Sequence, residues 1–210
     1  MIGRRASNHG TLKLQIYVIR HGQTDWNAEY RLQGQQDIPL NETGRSQANG
    51  NGSELADILG ADAHRFDFVA SPLSRTRETM ERVRAAMGLT PELYRTDDRL
   101  KELSFGDWEG RTLKELSTVS PALLEEREKD KWSFVPPGDD AESYEILSWR
   151  VGAWLKDVVG PTVCVAHGGV IRSLFRIVGG ASTAEAAELA IPQDNILRLD
   201  PETGVIGWIV

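Results

Sequence analysis

The chain has 210 residues, enough for one large domain, and its 40% hydrophobic and 26% charged residues argue against a disordered or fibrous protein. Its formal net charge of −7 and single cysteine, Cys164, exclude a basic nucleic-acid footprint, an intrachain disulfide and a Cys-rich metal site. No apolar run approaches the roughly 20 residues that cross a membrane. We therefore expect a cytoplasmic protein that binds neither nucleic acid nor membrane.

Apolar runs alternate with longer amphipathic stretches along the chain. Strands are predicted at 13–20, 66–70, 92–96, 161–166, 195–200 and 205–209, and helices at 42–59, 73–87, 111–129, 141–158 and 168–179. This alternation predicts an α/β fold, a three-layer α/β/α sandwich with a mostly parallel sheet. The turn signal at 201–204 predicts a C-terminal hairpin, and hence an antiparallel strand at the end of the chain.

The helix predicted at 42–59 carries conflicting signals. Asn41 is a good N-cap for it. Gly50 and Gly52 fall inside it, and each costs about 1 kcal/mol relative to alanine. The sequence therefore predicts a weakened helix here.

We interpret residues 1–210 as one domain that begins with a loose leader at 1–11. Residues 105–140 differ in character from the rest, because charged side chains crowd 125–131 before a Trp-Ser-Phe-Val-Pro-Pro-Gly run breaks the pattern. We interpret this stretch as a small helical lid insertion over the functional site. Trp132 and Phe134 within it either line a leaving-group pocket or anchor the lid.

Two histidines follow apolar strands, and each precedes a glycine. His21 follows the first predicted strand and His167 follows the fourth. Ligands of parallel α/β sheets bind beyond the carboxyl ends of the strands, so the two histidines are predicted to share a site. Arg20 can hold phosphate oxygens while His21 attacks phosphorus, and Gly22 lets the backbone approach the ligand closely.

Two further stretches supply an anion site and an acid. Arg75 lies near the start of the predicted helix at 73–87, where Ser71 can act as a cap, and an arginine and a helix N-terminus both favour an anion. A carboxyl group after the third predicted strand can protonate a leaving group. On the residues alone, Glu102 and Glu109 are equal candidates for that role.

Together these motifs resemble the histidine phosphatase superfamily, in its phosphoglycerate-mutase-like branch. Five stretches occur in the family's order, at 20–27, 32–44, 71–76, 102–110 and 167–169. The resemblance implies that His21 is the nucleophile, that Glu102 is the proton donor and that Glu109 belongs to a structural turn. It also implies a phosphate pocket of Arg20, Arg75 and His167, and substrate contacts from Thr24, Asn27, Gln33, Gly34 and the Gly168 backbone.

The implied activity is hydrolysis of a small phosphate ester through a phosphohistidine, without a metal or other cofactor, since the motif's cations would repel a metal ion. The alternatives are phosphoglycerate mutase-type transfer and a non-catalytic interaction module on the same fold. Only 65 positions separate Glu102 from His167, and Gly169 stands where the mutase pattern prefers Asn, so hydrolysis is favoured. All five catalytic residues are present, which argues against the interaction module.

Two expectations concern specificity and assembly. Related phosphatases carry a Pro-Gly-Gly-Glu-Ser stretch, whereas residues 137–143 are two residues longer and more acidic, so we expect this loop to disfavour highly anionic substrates. If the chain oligomerises, a homodimer is the expected form, although no exposed apolar stripe stands out. Trp149 and Trp154 lie on a helical pattern and are predicted to belong to the core.

Overall fold

A computed structural model describes residues 14–209, so the predicted leader at 1–11 lies outside the described residues. The strands are β1 (Ile16–Arg20), β2 (Asp67–Ala70), β3 (Arg95–Thr96), β4 (Thr162–Ala166), β5 (Ile196–Asp200) and β6 (Val205–Trp208). The helices are α1 (Asp25–Ala28), α2 (Glu42–Leu59), α3 (Ser74–Ala86), α4 (Leu113–Val119), α5 (Pro121–Lys129), α6 (Tyr144–Lys156), α7 (Gly168–Ile177) and α8 (Thr183–Glu188). None of these helices is long and apolar enough to cross a membrane.

The strands form one sheet in the order β3-β2-β4-β1-β5-β6. The pairs β2–β3, β2–β4 and β1–β4 are parallel, whereas β5 runs antiparallel to β1 and pairs with β6 in an antiparallel hairpin. The predicted mostly parallel sheet and C-terminal hairpin are therefore confirmed. In the centre of the sheet, β1 and β4 are in register from Ile16 opposite Thr162 to Arg20 opposite Ala166.

Helices cover both faces of the sheet. Ile16 and Val18 point into a core shared with α6, α7 and α8. Tyr17 and Ile19, which alternate with them along β1, point into a second core shared with α2 and α3. The predicted three-layer sandwich is confirmed, and burial on both faces explains why the central strands are continuous apolar runs.

The predicted helix at 111–129 is wrong as a single element, because it divides into α4 and α5. Pro121 occupies the first turn of α5, where its missing N–H costs nothing. Its ring restricts the preceding residue, and Ser120 leaves helical geometry at φ −144°, ψ 52°. The helix predicted at 141–158 begins later, at Tyr144, because Ser143 caps it by accepting from the Ile146 N–H.

Helix α8 was not among the predicted elements. It has six residues, too few for a hydrophobic period to stand out. A signal was nevertheless present, since Ser182 and Glu185 form a capping box at its start.

The two glycines inside α2 have different reasons to be there. A Cβ on Gly52 would lie 2.8 Å from the Ala86 Cβ and 2.9 Å from the Val83 Cα, so this glycine lets α2 pack closely on α3. A Cβ on Gly50 would meet nothing within 4 Å. Both glycines lower the stability of α2, but Gly52 allows the helix to pack closely on α3, whereas Gly50 allows no such contact.

We expect the two glycine-to-alanine changes to act in opposite directions. Gly50→Ala should raise the free energy of unfolding by about 0.5–1 kcal/mol, because alanine restricts the unfolded chain and favours helix. Gly52→Ala should lower it by about 1–3 kcal/mol, because the new methyl group overpacks the interface with α3. Urea denaturation of both variants tests this, and shifts of the same sign would contradict the packing argument.

Candidate active site

The register of β1 against β4 brings the two strand-end histidines together. The backbone N–H of His21 donates to the Ala166 carbonyl at 3.0 Å, which extends the pairing of β1 with β4 by one residue. The ring centroids of His21 and His167 lie 5.1 Å apart with the planes inclined at 63°, and both residues are buried. The predicted shared position of the two histidines is therefore seen in the structure.

A contact of the His21 ring determines which of its two nitrogens carries the proton. Its Nδ1 lies 2.7 Å from the Gly22 carbonyl oxygen. Because a carbonyl can only accept, Nδ1 carries the proton, and the lone pair remains on Nε2. Burial, then the positive charges of Arg75 and Arg20, hold the pKa of His21 well below its usual value of 6.5. His21 is therefore neutral at pH 7.

Gly22 makes a close backbone contact with α2, and the expected approach of its backbone to a ligand stays a prediction. A Cβ there would lie 2.2 Å from the Gly44 carbonyl oxygen, in the first turn of α2. Gly44 is equally constrained, since its own Cβ would lie 2.1 Å from the Gln23 carbonyl oxygen. The glycine thus allows the turn after β1 to pack on α2, which positions His21 from outside the cavity.

His167 is held from the opposite side of the site. Its Nε2 lies 2.8 Å from the Ser71 hydroxyl, and its Nδ1 is buried with no hydrogen-bond partner among residues 14–209. Burial, followed by Arg75 and His21, lowers the pKa of His167 well below 6.5. His167 is therefore a neutral hydrogen-bonding group, and the fixed positive charge of the site comes from arginine.

Two buried arginines flank the histidines. Arg75, in the first turn of α3, donates to the carbonyls of Gln36 at 2.7 Å and Gly34 at 2.8 Å. Arg20, at the end of β1, donates to the Ile191 carbonyl at 2.6 Å. Burial lowers both pKa values to about 10, so both guanidinium groups stay charged at pH 7. Within the described residues, the buried Nε of each arginine has no partner, which leaves donors available to an anion.

Glu102 lies against the N-terminus of α7 and, like Arg20 and Arg75, lines the cavity. Its carboxylate accepts from the Gly169 N–H through both oxygens, at 3.0 and 3.1 Å, and from the Leu103 N–H at 3.0 Å. These bonds fix the orientation of the carboxylate in the cavity wall, which His21 and Arg75 also line.

The backbone around Glu102 is held by an ion pair from α6. Arg150 pairs with Glu142 at 2.8 Å and donates to the carbonyls of Arg99, Lys101 and Glu102. Glu142 in turn accepts from the Ser104 N–H. One arginine therefore satisfies three carbonyls of the segment that carries Glu102.

Glu109, the other candidate acid, has a supporting position. Its carboxylate accepts from the N–H groups of Gln35 at 2.9 Å and Phe105 at 3.1 Å. Gly34, at φ +53°, approaches so closely that a Cβ would lie 1.9 Å from the Glu109 Oε1. Glu109 does not line the cavity. Its geometry is that of a structural turn.

His21, Arg20, Arg75 and Glu102 line a cavity of about 220 Å³; His167 does not line it, but its ring contacts that of His21. Of the predicted substrate contacts, four line it: Asn27, Gln33, Gly34 and Gly168. Thr24 does not; it is the N-cap of α1, and its backbone N–H donates to the Asn27 Oδ1. A contact of Thr24 with substrate stays a prediction, and its visible role is to orient Asn27.

Several residues that line the cavity or support its lining were missed from the sequence. Gln193, in the segment before β5, donates through its side-chain amide to the His21 carbonyl and the Asn27 Oδ1, both at 3.1 Å. No motif marks that segment. Arg172 also lines the cavity. The sequence could have predicted this, because Arg172 follows Gly168 by four residues and so shares a helix face with it. Arg31, Arg127, Lys131 and Tyr144 also line the cavity and were missed.

Trp108, Trp132 and Phe134 anchor the segment 105–140 and do not line the cavity, whereas Phe105 does line it. Trp132 is buried and stacks on Tyr144 at 5.6 Å, and Phe134 stacks on Trp108 at 5.3 Å. The core position predicted for Trp154 is confirmed, whereas that for Trp149 is wrong, since Trp149 is 66% exposed on the outer face of α6.

The two aspartates of the long loop do not contribute to the cavity. Asp139 and Asp140 are exposed, and neither lines the cavity. Within residues 14–209, no group of three or more His, Cys, Asp or Glu side chains lies close enough to hold a metal ion. Independence from a metal stays a prediction about the reaction.

Known proteins of similar sequence have names from phosphoglycerate metabolism. A protein named "Probable phosphoglycerate mutase GpmB" from Enterobacter sp. (strain 638) is 32% identical, with 94% of this chain and 91% of that protein covered. Phosphoglycerate mutase-like protein 4 of Arabidopsis thaliana is 34% identical, with 77% of this chain and 69% of that protein covered.

Solved structures show the same fold. The mycobacterial glucosyl-3-phosphoglycerate phosphatase superposes with a TM-score of 0.74 at 27% identity, covering 94% of this chain and 97% of that one. The profile of the histidine phosphatase superfamily (branch 1) matches residues 16–207, which contain every residue of the site described above. The chain therefore belongs to the histidine phosphatase superfamily.

Proposed function

We propose that this protein hydrolyses a small phosphomonoester through a phosphohistidine formed on His21, without a metal. Membership of the superfamily supports phosphoryl hydrolysis or transfer as the general activity. One observation carries the specific proposal. A neutral histidine, with its lone pair on Nε2, lies beside two charged arginines and shares a cavity with one carboxyl group.

In the first step, the His21 Nε2 attacks phosphorus in line with the bond to the leaving oxygen. The N–P bond forms as the P–O bond breaks, and the departing alcohol oxygen takes the proton of Glu102. Arg20 and Arg75 stabilise the charge on the equatorial oxygens, with His167 as a further hydrogen-bond donor through Nδ1.

In the second step, the Glu102 carboxylate takes a proton from water, and the water oxygen attacks the phosphohistidine. The N–P bond breaks, inorganic phosphate leaves, and His21 and protonated Glu102 are restored. The donors that hold the phosphoryl oxygens belong to rigid elements, since Arg20 ends β1 and Arg75 lies in the first turn of α3. Positioning and electrostatic stabilisation then supply most of the catalysis.

Transfer to a second hydroxyl is the alternative outcome of the same intermediate. The names of the bacterial and plant relatives favour it, whereas the mycobacterial structural neighbour is named as a phosphatase. The decisive property is access of water to the phosphohistidine. An assay for 3-phosphoglycerate mutase in parallel with the hydrolysis assay separates the two.

Hydrolysis of p-nitrophenyl phosphate in excess chelator tests the proposal directly. We expect the wild type to release nitrophenol and to take up a phosphate label, and His21→Ala to lose both, because the nucleophile is absent. Mutase activity without hydrolysis would replace the proposed reaction while retaining the site. A wild type without label or turnover in either assay would indicate a binding protein instead.

Glu102→Gln should reduce the rate most for esters with poor leaving groups. The amide cannot protonate an alkoxide, so we expect a loss of about 10²–10⁴-fold on alkyl phosphates and a smaller loss on p-nitrophenyl phosphate. Glu109→Gln is the matched control, because it changes the same group at a position outside the cavity. Equal losses on both esters in Glu102→Gln would show that Glu102 is not the proton donor.

The buried neutral histidines also predict how stability depends on pH. His21 and His167 have folded pKa values below 6.5, so the unfolded chain binds more protons as the pH falls through 6.5. The free energy of unfolding should therefore fall below pH 6.5, by up to about 1.4 kcal/mol per pH unit for each histidine. This contribution is fully present above pH 6.5.

Denaturant unfolding between pH 7.5 and 5, in phosphate-free buffer, measures this slope. We expect the slope to be reduced in the double variant His21→Asn/His167→Asn and kept in His64→Asn, since His64 is exposed. A wild-type stability that stays level or rises below pH 6.5 would show that the buried rings are not neutral.

A further inference from the structure

One side-chain amide outside the cavity contacts two residues that line it. Gln193 lies between α8 and β5 and does not line the cavity, whereas His21 and Asn27 do. The Gln193 Nε2 donates to the backbone carbonyl of His21 and to the Asn27 Oδ1, each at 3.1 Å. Because a carbonyl only accepts, the nitrogen of this amide must face His21, and both of its N–H groups are then in use.

These contacts determine which end of the Asn27 amide faces the cavity. Its Oδ1 accepts from the Gln193 amide at 3.1 Å, and from the backbone N–H and the hydroxyl of Thr24 at 3.1 and 3.2 Å. Three donors converge on one atom, which must therefore be the oxygen. The Nδ2 is then the end of the amide that remains for the cavity. An anionic oxygen can only accept, so this orientation offers N–H donors to a phosphate ester, whereas the reverse orientation would repel it.

The other contact of Gln193 holds the backbone at the nucleophile. The peptide that joins His21 to Gly22 is planar, and its two polar groups are bound on opposite sides. Its carbonyl accepts from Gln193, and its N–H donates to the buried Thr79 hydroxyl at 3.2 Å. Gly22 has no Cβ to restrict its backbone, so these two hydrogen bonds limit the rotation of the peptide.

The orientation of the His21 ring depends on this backbone. The Nδ1–H donates to the Gly22 carbonyl at 2.7 Å, and the Nε2 lone pair is available for attack only while that bond holds the ring. A free rotation at Gly22 would move the carbonyl and release the ring. Gln193 therefore contributes to the alignment of the nucleophile through the main chain.

Two polar side chains hold the segment that carries Gln193. Asn51, which is buried on α2, donates to the Gln193 carbonyl at 2.9 Å. Arg20 donates to the Ile191 carbonyl at 2.6 Å. The amide is thus presented from a backbone that is fixed on both sides of Pro192, and the buried Asn51 in the middle of α2 has a partner near the site.

We propose that Gln193 is a positioning residue, which fixes the His21 backbone and the Asn27 amide relative to each other. The proposal rests on the proposed phosphomonoester hydrolysis and deepens it. One amide group keeps the nucleophile aligned for in-line attack and directs the N–H donors of Asn27 at the bound ester. The two effects concern different steps, since the first governs the rate of attack and the second governs binding.

Gln193→Met tests this role, because methionine keeps the length of the side chain and has no N–H donor. The readout is single-turnover release of nitrophenol from p-nitrophenyl phosphate. We expect the maximal rate to fall by about tenfold or more, since the nucleophile loses its alignment. We expect the half-saturating concentration to rise severalfold, since the Asn27 amide can turn its oxygen to the substrate. Asn195→Leu is the matched control, because it exchanges an amide for an apolar side chain in the same segment.

The Asn27→Ala background separates the two contacts. In it, Gln193→Met should still slow the maximal rate, but it should no longer raise the half-saturating concentration, because the amide that it orients is absent. A rise in half-saturation that persists in this background would overturn the action on Asn27. Wild-type values of both parameters in folded Gln193→Met would overturn the whole proposal and show that Gln193 supports only the fold.

Nitrogen NMR of the His21 ring makes the test independent of turnover, with the signal assigned by its absence from His21→Ala. We expect a single neutral form protonated on Nδ1 in the wild type and in Asn195→Leu, and a mixture of the two neutral tautomers in Gln193→Met. This change in a wild type that hydrolyses no ester would support the positioning role and refute the proposed reaction. A Gln193→Met ring that keeps its proton on Nδ1 alone would refute the action on the nucleophile.

Discussion

The in-register parallel pairing of β1 with β4 is the constraint on which the site depends. It sends His21 and His167 out of the same edge of the sheet from neighbouring strands, so that their rings meet at 5.1 Å. A slip of one residue would turn one histidine to the opposite face, because side chains alternate along a strand. The register is secured on both faces, since alternate residues of β1 enter two different cores.

The loops around the site, one of which carries Glu102, are tied to this edge by specific contacts. The turn after β1 packs on α2 through the close approach of Gly22 and Gly44. Arg75 holds the Gly34 and Gln36 carbonyls, and Arg150 holds the backbone that carries Glu102. Arginines thus act twice, as supports for the loops and as positive charges that add to the effect of burial in keeping the histidines neutral.

Sequence patterns predicted the layers of the fold and the edge of the sheet that carries the site. The strand–helix alternation gave the three layers, and strand-end histidines gave the shared edge, because both follow from local periodicity. Glu102 could be separated from Glu109 only by resemblance, since the distinction lies in contacts that no spacing encodes. Gln193, Arg127 and Lys131 escaped for the same reason: tertiary packing brings them to the site, from segments whose composition resembles an ordinary solvated surface.

The cavity has two walls of different origin. One part of the lining includes the end of β1 and the first turns of α3 and α7, and another includes Phe105, Arg127 and Lys131 from the segment 105–140. This segment packs on the rest of the fold through aromatic stacking, such as Trp132 on Tyr144, and contributes none of the groups that would contact the transferred phosphate. Substitutions in it can therefore change the preferred alcohol while the phosphoryl chemistry is preserved. A fold divided in this way can acquire new substrates during evolution through surface changes of small energetic cost.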